Sequence, residues 1–244
     1  MSGYFTFGSI SSLTFGADIF PAKSEIVPAT DYTEVTVPGK DGTLLLPNNR
    51  LKNVEHKYSG IIYGTESELK NRLAEMKRVL KSLSGYQDLT DSFNPDEIYK
   101  AVYKDELSVT INRERTMAKF ILTFIRKPQR YLVSGASAIA LSSSEHIDNP
   151  TGFAAKPKIV VYSSGLKDES ELHIGSITAT ITWDEQTNVT IDCEAMNCYT
   201  GVTNMNGNVV FNALDFPDIP AGGANIAFGS GITSVSLTPR WYRL

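Results

Sequence analysis

The chain has 244 residues and a mass of 26.8 kDa, enough for one large domain or two of ordinary size. With 41% hydrophobic and 20% charged residues its composition is globular, which excludes a disordered chain or a coiled coil. Its longest apolar runs, such as Ile159–Tyr162, fall far short of the ~20 residues of a membrane-spanning helix. The net charge of −4 argues against a general nucleic-acid binder. Met1–Phe7 has neither the basic start nor the apolar stretch of a secretory signal.

The first recognisable unit along the chain is a hairpin. Val35 to Leu46 carries the turn Pro38-Gly39-Lys40-Asp41-Gly42, whose proline and glycines favour reversal. Thr43 is followed by Leu44, Leu45 and Leu46, an apolar run that calls for cover. Turn chemistry alone does not tell whether a neighbour comes from the same chain or another. A strand with Glu55 and His56 on opposite faces follows.

One helix is predicted, over about 65–84. Thr65-Glu66-Ser67-Glu68 is a capping box. Leu69, Leu73, Met76, Leu80 and Leu83 follow at spacings of four and three, one apolar stripe. Lys77, Arg78 and Lys81 suit the negative end of the helix dipole, and Gly85 is the expected stop. Such a helix must lie on a sheet.

The remainder reads as strand and turn. Ile98 to Tyr103 sets Tyr99, Ala101 and Tyr103 on one face. Leu107, Val109 and Ile111 alternate with polar residues, as do Ile177, Ala179, Ile181 and Trp183, and then Val189, Ile191 and Cys193. Period two means half-buried strands with one wet face. Phe120–Ile125 is apolar on both faces, which places it centrally in a sheet. After Phe124-Ile125-Arg126-Lys127-Pro128 the aromatic pattern gives way to small residues, Ser134-Gly135-Ala136-Ser137-Ala138 and Ser142-Ser143-Ser144. The charge changes with it: 18 basic and 16 acidic residues stand before Ala136, 5 and 11 from there on. The expected organisation is a domain over 1–133, a linker over 134–145 and a second domain over 146–244. The class is mainly β, and short strands between regular turns suggest two β-sandwiches, the first carrying the helix.

Chemistry is sparse. His56, His146 and His173 lie far apart without ligand-spaced partners, so no metal site and no cofactor is expected. No phosphate loop, dinucleotide fingerprint, nucleophile elbow or zinc-protease motif occurs, and no catalytic residue is assigned. Cys193 and Cys198 read as buried, reduced thiols. Asp192 and Glu194 share a strand face, two residues apart, and could be tested as glycosidase carboxylates, but charges on the wet face of a strand are the plainer reading. Asp184-Glu185 looks like a turn, and Asn188-Val189-Thr190 a strand rather than a glycan acceptor. Trp183 belongs to the apolar face of its strand. Trp241 and Tyr242 could offer an aromatic platform to a sugar.

The order of these features resembles that of the distal tail proteins of siphophages. The resemblance rests on the aromatic N-terminus, the P-G-K-D-G turn, the single helix and the segment Phe124-Ile125-Arg126-Lys127-Pro128-Gln129-Arg130-Tyr131. It continues through Asn149-Pro150-Thr151-Gly152, Lys156-Pro157-Lys158-Ile159, Phe216-Pro217, Ile219-Pro220-Ala221-Gly222 and the ending Thr238-Pro239-Arg240-Trp241-Tyr242-Arg243-Leu244. It implies a non-enzymatic virion hub, made in the host cytoplasm. The first domain would close a homohexameric ring, and the second would be a galectin-like or carbohydrate-module-like sandwich. One ring face would meet the major tail tube protein and the other the tail-associated or tail-fibre protein, with receptor-binding proteins anchored outside. No sequence-specific nucleic-acid binding and no membrane insertion are implied. The candidate inter-subunit arm is Val37, Pro38, Gly39, Lys40, Asp41, Gly42, Thr43, Leu44, Leu45 and Leu46. The alternative is a carbohydrate-binding adhesion module for a host cell-wall saccharide.

Overall fold

The computed structural model describes residues 3–21, 26–104, 107–165 and 168–244. The chain divides into two compact units, Met1–Arg130 together with Leu244, and Tyr131–Arg243. The fold is mainly β, with one α-helix among the described residues.

The first unit contains β1 (Phe5–Phe7), β2 (Ile10–Ser11), β3 (Ala17–Ile19), β4 (Thr30–Thr36), β5 (Thr43–Leu51) and β6 (Val54–Tyr63). The helix α1 (Glu66–Ser82) follows, then β7 (Gln87–Asp91), β8 (Glu97–Val102), β9 (Ser108–Ile111) and β10 (Met117–Leu132). All but β4 and β5 belong to one sheet of order β2-β1-β7-β8-β10-β6-β3, with β9 also paired to β10. In place of two facing sheets, this unit has a single sheet with the helix against it. Sixteen residues of β10 are long enough to take β6 along one edge and β8 and β9 in succession along the other.

The helix begins as its sequence dictates. The Thr65 hydroxyl accepts from the Glu68 amide, and the Glu68 carboxylate accepts from the Thr65 amide at 2.8 Å. Leu69, Leu73, Met76 and Leu80 are buried as expected, joined by Val79. The end differs: Leu83 caps the helix in extended conformation, and Gly85 takes its left-handed conformation two residues later. The helix stripe packs into an aromatic core. Phe5 stacks on Tyr58 at 5.4 Å, and the Phe124 ring sits 5.0 Å from Phe7 and 5.7 Å from Phe5 and Tyr103. Gly60 lets the Phe120 ring approach, since a Cβ there would lie 2.4 Å from it.

The second unit contains β11 (Ile139–Leu141), β12 (Glu145–Ile147), β13 (Lys158–Ser163), β14 (Glu169–Ile174), β15 (Ile177–Thr182) and β16 (Asn188–Asp192). It continues with β17 (Asn197–Thr200), β18 (Thr203–Asn204), β19 (Val209–Phe211), β20 (Ala224–Phe228) and β21 (Ile232–Thr238). One sheet has the order β11-β21-β13-β16-β17-β18, the other β12-β20-β14-β15-β19. Alternate residues of both sheets fill one core, among them Ile159, Val161 and Ile191 from the first and Leu172, Ile174 and Ile181 from the second. The segment 134–145, expected as a linker, holds β11, which pairs with β21 through Ile139↔Leu237 and Leu141↔Val235. Its small residues suit an edge strand as well as a joint.

Candidate functional site

The first feature that stands out is β4–β5. These strands form a two-stranded sheet of their own, in register Thr33↔Leu46, Glu34↔Leu45, Val35↔Leu44 and Thr36↔Thr43. The left-handed conformations that the tip requires fall on Gly39 and Gly42. Tyr32, Val35, Val37, Leu44, Leu45 and Leu46 are all exposed. The base alone is clamped: Asp31 is buried and accepts from Arg50 Nε at 2.6 Å, with Lys52 Nζ at 3.5 Å. The Arg50 hydrogen bond, with the charges of Arg50 and Lys52, holds the Asp31 carboxyl below its usual range. A two-stranded ribbon is marginal in water by itself, and half a dozen exposed large apolar side chains on one ribbon make it the candidate interaction surface. All ten residues of the arm expected from sequence, 37–46, lie in this ribbon or its turn.

The second feature is the outer face of the first unit's sheet. Phe120, Leu122 and Phe124 point to the core, but Ile121 is 55% exposed and Tyr63 is 52% exposed. Phe120–Ile125 is central in its sheet, as expected from its two apolar faces, while its outer face is open to solvent at Ile121. Ile121 also lines the cleft described next, with Pro21, Ile26 and Ser59 among the other walls.

A cleft of about 590 Å³ opens in the same unit, with His56, Tyr99, Phe93, Asn94, Arg126 and Arg130 among its walls. Its cations are committed to the fold. Arg126 sits over the Tyr99 ring at 5.2 Å and donates to the Pro128 carbonyl at 3.3 Å. Arg130 donates to the Leu244 carbonyl at 2.9 Å and lies 3.5 Å from Glu97. Burial, then the Arg126 charge, pull the His56 imidazole down to about 4, so it is neutral at physiological pH. Ser59 also lines the cleft, but it stands three residues from His56 on the opposite face of β6 and forms no nucleophile–base pair with it. Beside it, Asp91 accepts from Tyr58 Oη at 2.7 Å and from the Phe93 and Asn94 amides at 2.8 and 2.9 Å. That network closes the 91–94 turn, and its burial and the Asp91 charge push the Tyr58 hydroxyl far above its ordinary range.

Of the Asp192 and Glu194 carboxylates, Glu194 is exposed, as the sequence suggests, but Asp192 is not. Asp192 is buried and grips Arg240 through two hydrogen bonds, at 2.7 and 2.9 Å. Glu194 lies 3.7 Å from the same guanidinium and accepts from Tyr131 Oη at 3.1 Å. Burial alone would raise the Asp192 pKa, but the Arg240 hydrogen bonds and charge outweigh it and the net shift is downward. A glycosidase acid needs the opposite shift. Glu194 lies in the turn after β16 rather than on its strand face, and the arginine stands 48 positions beyond Asp192, out of reach of any strand spacing.

The sugar platform fares no better. Trp241 is 4% exposed and part of the core. Trp183 is also buried, and its indole N–H donates to Ser170 Oγ at 3.0 Å. Tyr242 stacks on Phe153 at 5.5 Å. His146 and His173 bond to cross-strand Asn225 and Thr178, at 2.8 and 2.9 Å. Among the described residues no cluster of three or more potential metal ligands occurs, and no helix is long and apolar enough to cross a membrane.

Cys193 and Cys198 are free and buried. Burial, helped by the Asp192 charge, pushes the Cys193 thiol up to about 12, and burial pushes Cys198 up to about 11. Both thiols are expected to react with an aromatic disulfide reagent at pH 8 at least ~100-fold more slowly in the native protein than in denaturant. A fast native reaction would show that the β16–β17 hairpin opens readily.

No family model matches the chain, and no curated protein sequence does. Solved structures do match. The crystal structure of the Dit protein of phage SPP1, described as a paradigm of hub adsorption apparatus in phages that infect Gram-positive bacteria, superposes with a TM-score of 0.74. The match spans 99% of each chain at 16% identity. The chain has the fold of that hub protein. A chain of the phage P2 baseplate, in its activated conformation with calcium, matches over 97% of each chain with a TM-score of 0.55 and 9% identity. The resemblance read from the order of sequence motifs is thereby borne out at the level of fold.

Proposed function

We propose that the chain is a structural hub of a long, non-contractile phage tail tip. The observation that carries this reading is the likeness to the SPP1 hub protein over nearly the whole of both chains. The unpaired β4–β5 ribbon supports it, because a closed ring needs two different patches on one subunit to meet. In this reading the first unit closes a homohexameric ring through the arm 37–46. The second unit is a galectin-like β-sandwich on the outside, and its fold carries no sugar-binding function with it. One ring face meets the tail tube protein and the other the tail-associated or fibre protein, and receptor-binding proteins attach at the periphery. The role is architectural rather than enzymatic, and its place is the virion.

The test is native mass across a concentration series. Six copies of a 26.8 kDa chain give a closed species of about 161 kDa. A monomer at every concentration, with and without purified tail tubes, would overturn the ring.

A further inference from the structure

The ring reading, on which this inference rests, does not say what receives the hairpin. A two-stranded ribbon can be covered in two ways. Its strands can add to a sheet edge, or one of its faces can lie on a sheet face. The first unit offers little edge. At one end of the sheet β2 has two residues, and at the other β3 has three, with Ile19 already bridged to Gly3. The flanking β9 has four. None matches ribbon strands of seven and nine residues.

The outer sheet face matches better. Its successive cross-strand pairs are Met117↔Tyr63, Lys119↔Ile61 and Ile121↔Ser59. One face of the ribbon presents Tyr32↔Pro47, Glu34↔Leu45 and Thr36↔Thr43. Each set of three covers about 14 Å along its strands. The charges are complementary. Glu34 stands alone among the acids on that ribbon face, and Lys119 is exposed beside the apolar pairs. Neither is in an ion pair among the described residues, whereas Glu55 and Lys57, further along the sheet face, neutralise each other at 2.8 Å. Two distinct apolar surfaces on one unit, both exposed among the described residues and of opposite charge, are the two halves that a heterologous contact requires.

We propose that the Tyr32–Glu34–Leu45 face of one copy's hairpin docks on the outer sheet face of the next copy, over Ile121, with Glu34 against Lys119. The contact is side chain to side chain and does not extend the neighbour's sheet. Charge reversal tests it. Glu34→Lys and Lys119→Glu are each expected to raise the concentration for half-assembly roughly tenfold, and the double variant to return it to within about threefold of the unaltered chain. Ile121→Asp should weaken assembly with no loss of circular-dichroism signal or thermal stability, since the side chain is already solvent-exposed. A ring insensitive to all of these, or a double variant as weak as the singles, overturns the docking and leaves the ring standing. Failure of the unaltered chain to assemble overturns the ring itself, and the docking with it.

Discussion

Cutting the hairpin back to its base, with Glu34–Leu45 replaced by Asn-Gly, is expected to abolish the 161 kDa species and leave a folded monomer. The fold should survive because β4 and β5 pair only with each other, and their side chains beyond Asp31 are exposed. The clamp of Arg50 and Lys52 on Asp31 lies below the cut. Thr33 and Leu46 face each other in the native register, and Asn-Gly closes such a pair with a two-residue turn. Thermal stability should therefore move by no more than about 2 °C. Assembly should fail for the opposite reason. Completing the burial of a half-exposed Leu contributes about 1 kcal/mol, and the cut removes Leu45 and Glu34 together from the docking face. With the Glu34–Lys119 pair counted at about 1 kcal/mol, the loss of about 2 kcal/mol per interface is roughly thirtyfold in concentration at every contact of the ring. A shortened chain that still runs as a ring would move the interface elsewhere on the first unit.

The sequence was legible where a feature is local. The capping box at Thr65 and the leucine stripe after it are set within one helix, and so is the turn at Pro38–Gly42 within one hairpin. Period two identified Tyr99, Ala101 and Tyr103 because burial alternates with the pleat of β8, and it found Val189, Ile191 and Cys193 although Thr190 and Asp192 between them are buried as well. It failed where burial comes from a distant part of the chain. Asp192 has the pattern of a wet-face residue, and only Arg240 and its neighbours cover it. Trp241 and Gly135 show the same limit. A Cβ on Gly135 would stand 2.4 Å from the Trp241 amide nitrogen, a close approach that no spacing rule reveals across so many residues. The face behind Ile121 misled in the other direction. An apolar run predicts cover without saying whether the cover belongs to the same molecule. The hairpin posed that question from the outset, and among the described residues its two strands pair with no other strand.

The largest single-residue effect is expected at Asp192. Its side chain is 13% exposed and that of Arg240 is 22% exposed, so removing the carboxylate leaves a largely desolvated guanidinium without its main partner. Arg240 is held in a left-handed conformation, at φ 60°, which costs a residue with a side chain about 1 kcal/mol or more. The Asp192 hydrogen bonds and the Arg240 amide donating to the Gly135 carbonyl at 2.8 Å keep it there. Trp241 follows directly and is buried, so a loosened Arg240 also loosens a core side chain. Breaking a buried pair from one side costs 3–5 kcal/mol, and partial exposure puts this pair near the lower end, so Asp192→Ala should cost about 3 kcal/mol at pH 7. The sign of the pH dependence follows from the lowered carboxyl pKa. The unfolded chain binds the proton more readily, so the contribution is fully present above the ordinary carboxyl value and fades as pH falls through the folded one. Urea unfolding of the two proteins should therefore differ strongly at pH 7 and much less at pH 2. Equal differences at both values, or a cost under about 1 kcal/mol at pH 7, would reduce the pair to a surface contact and leave the left-handed Arg240 unexplained.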